Sequence, residues 1–147
     1  MIRTSIASPQ EKVELPYAQL REVSRIVLEG EGVQEAKISL AFVDNPTIHR
    51  LNKQFLNHDE PTDVITFPMS GDGAKKLEGE LVIGVEVAME QAQDRGHPVD
   101  AELCLYVIHG LLHLCGYDDR NPQDAAEMRT KEREYLKQLN LPEIAGD

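Results

Sequence analysis

The sequence predicts an α+β domain in which a small mixed sheet of four strands packs with about five helices. Three observations predict it. Short β-branched or apolar segments alternate unevenly with longer segments whose apolar residues recur at helical spacing. One segment, 101–115, is apolar on almost every side, as a helix buried at the centre of a core must be. The 147 residues, 41% hydrophobic and 28% charged, suffice for one domain, read as spanning 1–147, whose core needs no staples.

Ile2, Thr4 and Ile6 alternate as a first strand. Leu15-Pro16 opens a helix with Tyr17, Leu20, Val23, Val27 and Leu28 at helical spacing, and Gly30 and Gly32 stop it. Ala36 to Val43 is a strand, apolar at Ile38, Leu40 and Phe42. Asn45-Pro46 reads as an N-cap followed by a proline at the first helical position, ahead of a short amphipathic helix through Ile48, Leu51 and Phe55. Residues 56–63 form a polar loop. Val64 to Phe67 is a β-branched strand closed by Pro68, and Ser70 to Lys76 is a loop with Lys75-Lys76 at its tip. Leu81-Val82-Ile83 is a continuous apolar strand of the kind buried on both faces. Val85 to Arg95 is a helix ended by Gly96. Asp100 is placed to cap the apolar helix from Ala101 to Cys115. Asn121-Pro122 starts the last helix, with Met128, Tyr135, Leu136 and Leu139 on one stripe.

Charge and targeting narrow the function. Lys plus Arg number 15 and Asp plus Glu 26, a net charge of −11, which disfavours a simple electrostatic nucleic-acid binder. No apolar run reaches the ~20 residues of a membrane helix, and Met1 to Ser5 has no apolar core behind it. Cys104 and Cys115 fall about 16 Å apart along one helix, too far for a bridge. Two thiols and no secretion signal point to a reducing cytosol.

The chemistry centres on His109 and His113. Residues four apart share one helical face, so both imidazoles can ligate one ion. Gly116 follows His113 by three residues and Asp119 follows Gly116 by three. This His-x3-His-x2-Gly-x2-Asp pattern has the spacing of the metzincin zinc site, in which a glycine turns the chain so that a third ligand reaches the metal. A carboxylate can serve as that ligand, and three protein ligands leave a fourth position open, as in a catalytic site. A zinc peptidase would carry Glu after the first His; here that residue is Gly110, which serves close packing or leaves space above the metal. Asp118 reads as a turn residue or as a group that orients a histidine. His49 and His97 read as surface residues, and Thr62-Asp63 as a turn held by side-chain-to-backbone bonds.

The stretch His109-Gly110-Leu111-Leu112-His113-Leu114-Cys115-Gly116-Tyr117-Asp118-Asp119 resembles the H-G-x-L-H-L-x-G-Y-D-H signature of the YbeY family, bacterial metal-dependent endoribonucleases of ribosomal RNA maturation. Asp59 to Pro68 resembles the family's D-x-P-T-D-V-L-S-F-P, and Gly79 to Ile83 its G-D-I-V-I strand. Order and spacing agree from about Val33 to Leu136. The resemblance implies a zinc-dependent endoribonuclease acting on single-stranded regions of small-subunit ribosomal RNA, with ribosomal partners and no membrane. It also implies that the Thr62-Asp63 loop lines the cleft opposite the metal. Two positions depart from the family. Asp119 stands where it has histidine, and Phe55-Leu56 stands for Tyr-Arg, removing an arginine tied to activity. Arg50 and Lys53 are the candidates to bind substrate in its place. His58 is the candidate catalytic side chain beside a metal-activated water. The rival readings are a zinc metallopeptidase and a non-catalytic, metal-stabilised ribosome assembly module.

Overall fold

The computed structural model of the chain describes residues 1–71 and 76–145. Its strands are β1 (Ile2–Ala7), β2 (Ala36–Val43), β3 (Val64–Pro68) and β4 (Leu77–Gly84), and its helices are α1 (Tyr17–Gly30), α2 (Asn45–Leu56), α3 (Val85–Arg95), α4 (Val99–Leu114) and α5 (Pro122–Gln138). The sheet is mixed, in the order β1-β2-β4-β3. β1, β2 and β4 run parallel, with Ile2 opposite Ala36 and Ala36 opposite Leu77. β3 is antiparallel to β4, with Val64 opposite Ile83. As an edge strand β3 tolerates Pro68, which has no amide to donate.

The period-2 alternation of the strands divides the core. Ile38, Leu40, Phe42, Leu81 and Ile83 face the large cluster that α1, α3, α4 and α5 cover. Val43, Ile65 and Val82 face the opposite side, where Ile48 of α2 closes a smaller cluster. β4 is therefore buried on both faces, as its apolar run requires. It begins at Leu77, four residues before that run, because the β2 ladder extends back to Ala36.

α4 lies at the centre. Every residue from Ala101 to Leu112 except His109 is buried. The helix starts at Val99, one turn of chain after Gly96, so Asp100 lies in its first turn and caps nothing; no side chain caps this end. The α2 cap also differs by one residue from the sequence reading. Asp44, not Asn45, is the N-cap, and its carboxylate accepts a 3.0 Å bond from the Thr47 amide. The α5 cap is Asn121, which accepts from the Asp124 amide at 2.8 Å. Within the Ser70–Lys76 loop, residues 72–75, including Lys75, lie outside the described residues; Lys76 lies 3.8 Å from Glu78.

Candidate metal centre

Two local features of the chain build the centre. The first is the single turn of α4 between His109 and His113. It brings their Nε2 atoms to 3.1 Å, with the rings edge-on at 4.6 Å between centroids. The second is a left-handed turn at the end of α4. Gly116 has φ +106°, which an L side chain rarely adopts. The amides of Gly116 and Tyr117 donate to the carbonyls of His113 and Leu112, both at 3.0 Å, closing a Schellman motif. The chain then doubles back and brings Asp119 Oδ2 to 3.9 Å from His109 Nε2. Asp118 completes the turn by accepting from the Asp119 amide at 2.8 Å, and pairs with Arg120 at 2.7 Å; among the described residues its carboxylate makes no hydrogen bond to a histidine.

His109, His113 and Asp119 each offer one ligand atom, and these atoms lie within 4.8 Å of one another. Two nitrogens on a tetrahedral zinc ion are separated by about 3.3 Å, given Zn–N near 2.05 Å. The 3.1 Å spacing of the imidazoles fits that figure, and Asp119 needs only a small closing movement. Burial pushes the Cys104 thiol up to about 12 and the Cys115 thiol to about 11, and neither sulfur is among the converging ligand atoms.

A family model described as Endoribonuclease YbeY matches residues 5–140. The chain belongs to the YbeY family. Proteins named Endoribonuclease YbeY from Pelotomaculum thermopropionicum and Nautilia profundicola are 40% identical over 129 residues and 46% over 105 residues. The first match covers 83% of this chain and 85% of that protein, the second 71% and 73%. The solution structure of TM1509 from Thermotoga maritima is similar with a TM-score of 0.66 at 29% identity, over 95% of this chain and 89% of that one.

In this YbeY-family chain a buried carboxylate holds the first imidazole. Glu132 of α5 is 5% exposed and accepts from His109 Nδ1 at 2.9 Å. That bond places the proton on Nδ1 and leaves the Nε2 lone pair facing His113 and Asp119. Burial by itself would lower the His109 pKa. The Glu132 hydrogen bond and charge, with Asp63 and Asp119, outweigh it and hold the pKa above its ordinary value. His113 is pushed down by burial and by His109, which favours the neutral, ligating form. Glu132 was missed in the sequence, although its signal was there: a carboxylate four residues from both Met128 and Leu136 on the apolar stripe of α5.

A cleft of about 530 Å³ opens over the centre, lined among others by His109, Asp119, Glu132, Thr62 and Asp63. The last two reach it because the loop before β3 lies directly on Gly84. A Cβ at Gly84 would stand 2.6 Å from the Thr62 carbonyl oxygen, and the Gly84 amide donates to the Asp63 carbonyl at 2.8 Å. Asp63 Oδ1 in turn accepts from the Val64 amide at 2.8 Å. Gly110 has a packing role: a Cβ there would meet the Leu81 methyl groups at 2.8 Å.

The other charged candidates lie elsewhere. Arg50 and Lys53 are exposed on α2, and His58 is exposed in the loop that leads to Thr62-Asp63. None of the three lines the cleft. His49 pairs with Asp59 at 2.6 Å. His97 is not a surface residue: its side chain is 8% exposed and bonds the fully buried Glu102 at 2.8 Å. Glu102, near the start of α4, provides the partner that its burial requires.

Proposed function

We propose that this chain is a metal-dependent endoribonuclease that cleaves single-stranded regions of small-subunit ribosomal RNA during maturation in the cytoplasm. The chain is read as a single YbeY-like domain over 1–147, in which His109, His113 and Asp119 hold one zinc ion in a zincin-like arrangement. The observation that supports this most is the convergence of two imidazole nitrogens 3.1 Å apart and one carboxylate, with His109 and Asp119 lining an open cleft, in a chain of the YbeY family.

A divalent ion in that set supplies Lewis acidity, which lowers the pKa of water toward about 7 and polarises a phosphate oxygen. The chain's own residues prepare the place. Glu132 fixes the tautomer and plane of His109. Asp63, whose carbonyl accepts from the Gly84 amide and whose carboxylate accepts from the Val64 amide, lines the cleft with His109. Arg50, Lys53 and His58 lie along α2 and the loop wall, where they would meet RNA outside the reacting phosphate. With a net charge of −11 the chain grips RNA weakly, so the ribosomal small subunit or an associated protein delivers the substrate.

The test is elemental analysis of the purified protein coupled to cleavage of single-stranded RNA with and without chelator. Stoichiometric zinc, and cleavage that chelator abolishes and zinc restores, is the expected result. Absence of metal, or cleavage of casein in place of RNA, overturns the reading.

A further inference from the structure

We infer that Arg129 is the side chain that grips a substrate phosphate in the metal cleft. Among the described residues, the cleft is lined by two guanidinium groups, Arg95 and Arg129, and by the carboxylates of Asp63, Glu102, Asp119 and Glu132. A polyanion entering such an acidic cleft needs a cation from the protein as well as the metal. Arg95 is already engaged: it donates to the Ile144 carbonyl at 3.0 Å and lies 3.6 Å from Glu102. Arg129 is not. Its Nε is buried with no hydrogen-bond partner, and its guanidinium forms no ion pair among the described residues.

Buried donors in folded proteins are nearly always paired, so an unpaired one on a side chain that lines a cleft calls for a partner, and a bound phosphate would supply it. The geometry of α5 aims it. Arg129 precedes Glu132 by three residues and shares its helical face, which is the face that holds His109. A planar, permanently charged fork one turn from the carboxylate that fixes His109 suits the two oxygens of a phosphate. The inference rests on the endoribonuclease reading for its physiological substrate, but the phosphate contact can be measured without cleavage.

The probes are uridine 5′-monophosphate and uridine, titrated calorimetrically into the metal-loaded protein. The wild type binds the monophosphate more tightly. Arg129→Gln weakens that binding about ten-fold or more and leaves uridine binding, zinc content and Tm unchanged. With single-stranded RNA, the same variant raises KM about ten-fold with kcat within about three-fold, and lowers the salt slope of binding by about one. Should Arg129→Gln lose metal or fold, Arg129→Lys carries the test: it keeps the charge but not the fork, and should weaken the monophosphate several-fold while uridine is unaffected. Monophosphate binding equal to wild type in the folded variant, or wild-type binding no tighter than that of uridine, overturns the inference. A protein that binds the monophosphate through Arg129 yet leaves RNA intact keeps this contact and loses the nuclease reading.

Discussion

Glu132 accepts a 2.9 Å hydrogen bond from His109 Nδ1 across the interface of α5 and α4, and so leaves Nε2 as the imidazole nitrogen that faces His113 and Asp119. Glu132→Gln keeps the size of the side chain but removes its charge. Metal affinity should fall about 10–100-fold, the usual cost of losing such an orienting partner. Competition with a zinc chelator measures it.

The same pair predicts a pH dependence for the metal-free protein. The folded pKa of His109 is raised, so the pair contributes stability that is fully present below the ordinary histidine value of about 6.5 and is lost as pH rises through the raised value. Thermal unfolding of the chelated wild type should show this loss as pH rises above about 6.5, and Glu132→Gln should flatten it.

Asp119 and Asp118 are adjacent, but only Asp119 lies within reach of both imidazoles. Asp119→Ala should lose the metal and Asp119→His should retain it, since imidazole also ligates zinc. Asp118→Ala, which removes a turn bond and the Arg120 pair, should keep stoichiometric metal. Elemental analysis of the three variants ranks them, and loss of metal from Asp118→Ala alone would reassign the carboxylate.

Gly84 holds the Thr62-Asp63 loop at the cleft by leaving room for a carbonyl oxygen. In Gly84→Ala the new Cβ would stand 2.6 Å from that oxygen, so the backbone must shift. The expected cost is about 1–3 kcal/mol, a typical overpacking penalty, or a Tm lower by several degrees. Metal content should stay stoichiometric while RNA cleavage falls, because the displaced residues line the cleft without being ligands.

Leu56 ends α2 and is 50% exposed, outside the cleft lining. Leu56→Arg should raise turnover of RNA only about two- to five-fold, the range of an exposed charge pair, with the gain confined to low salt. Cleavage rates at 20 mM and 300 mM salt, chosen to lie on either side of about 0.1 M, check it. A larger gain that survives high salt would place this position in contact with the reacting phosphate.

What the sequence determined by itself was local. The four-residue spacing of His109 and His113, the glycine that must take positive φ and the aspartate three residues beyond it lie within eleven residues, and helix geometry alone brings them together. The strands and helices were legible for the same reason, since their apolar periods of 2 and 3.6 are short-range signals. Even there, ends moved by a residue or two: Asp44 caps α2 because its carboxylate, not the carboxamide of its neighbour Asn45, reaches the Thr47 amide. The tertiary structure decided everything that depends on which faces meet. Glu132 and Arg129 are on α5 and Asp63 is on the loop before β3, and nothing in their spacing from His109 carries their relation to it. That relation arises when burial of one apolar face drives α5 onto α4 and when Gly84 admits the loop. His97 likewise reads as a surface residue until Glu102, fully buried on α4, requires a partner. Packing, not spacing, set His109 and Asp119 in a lined and charged cleft.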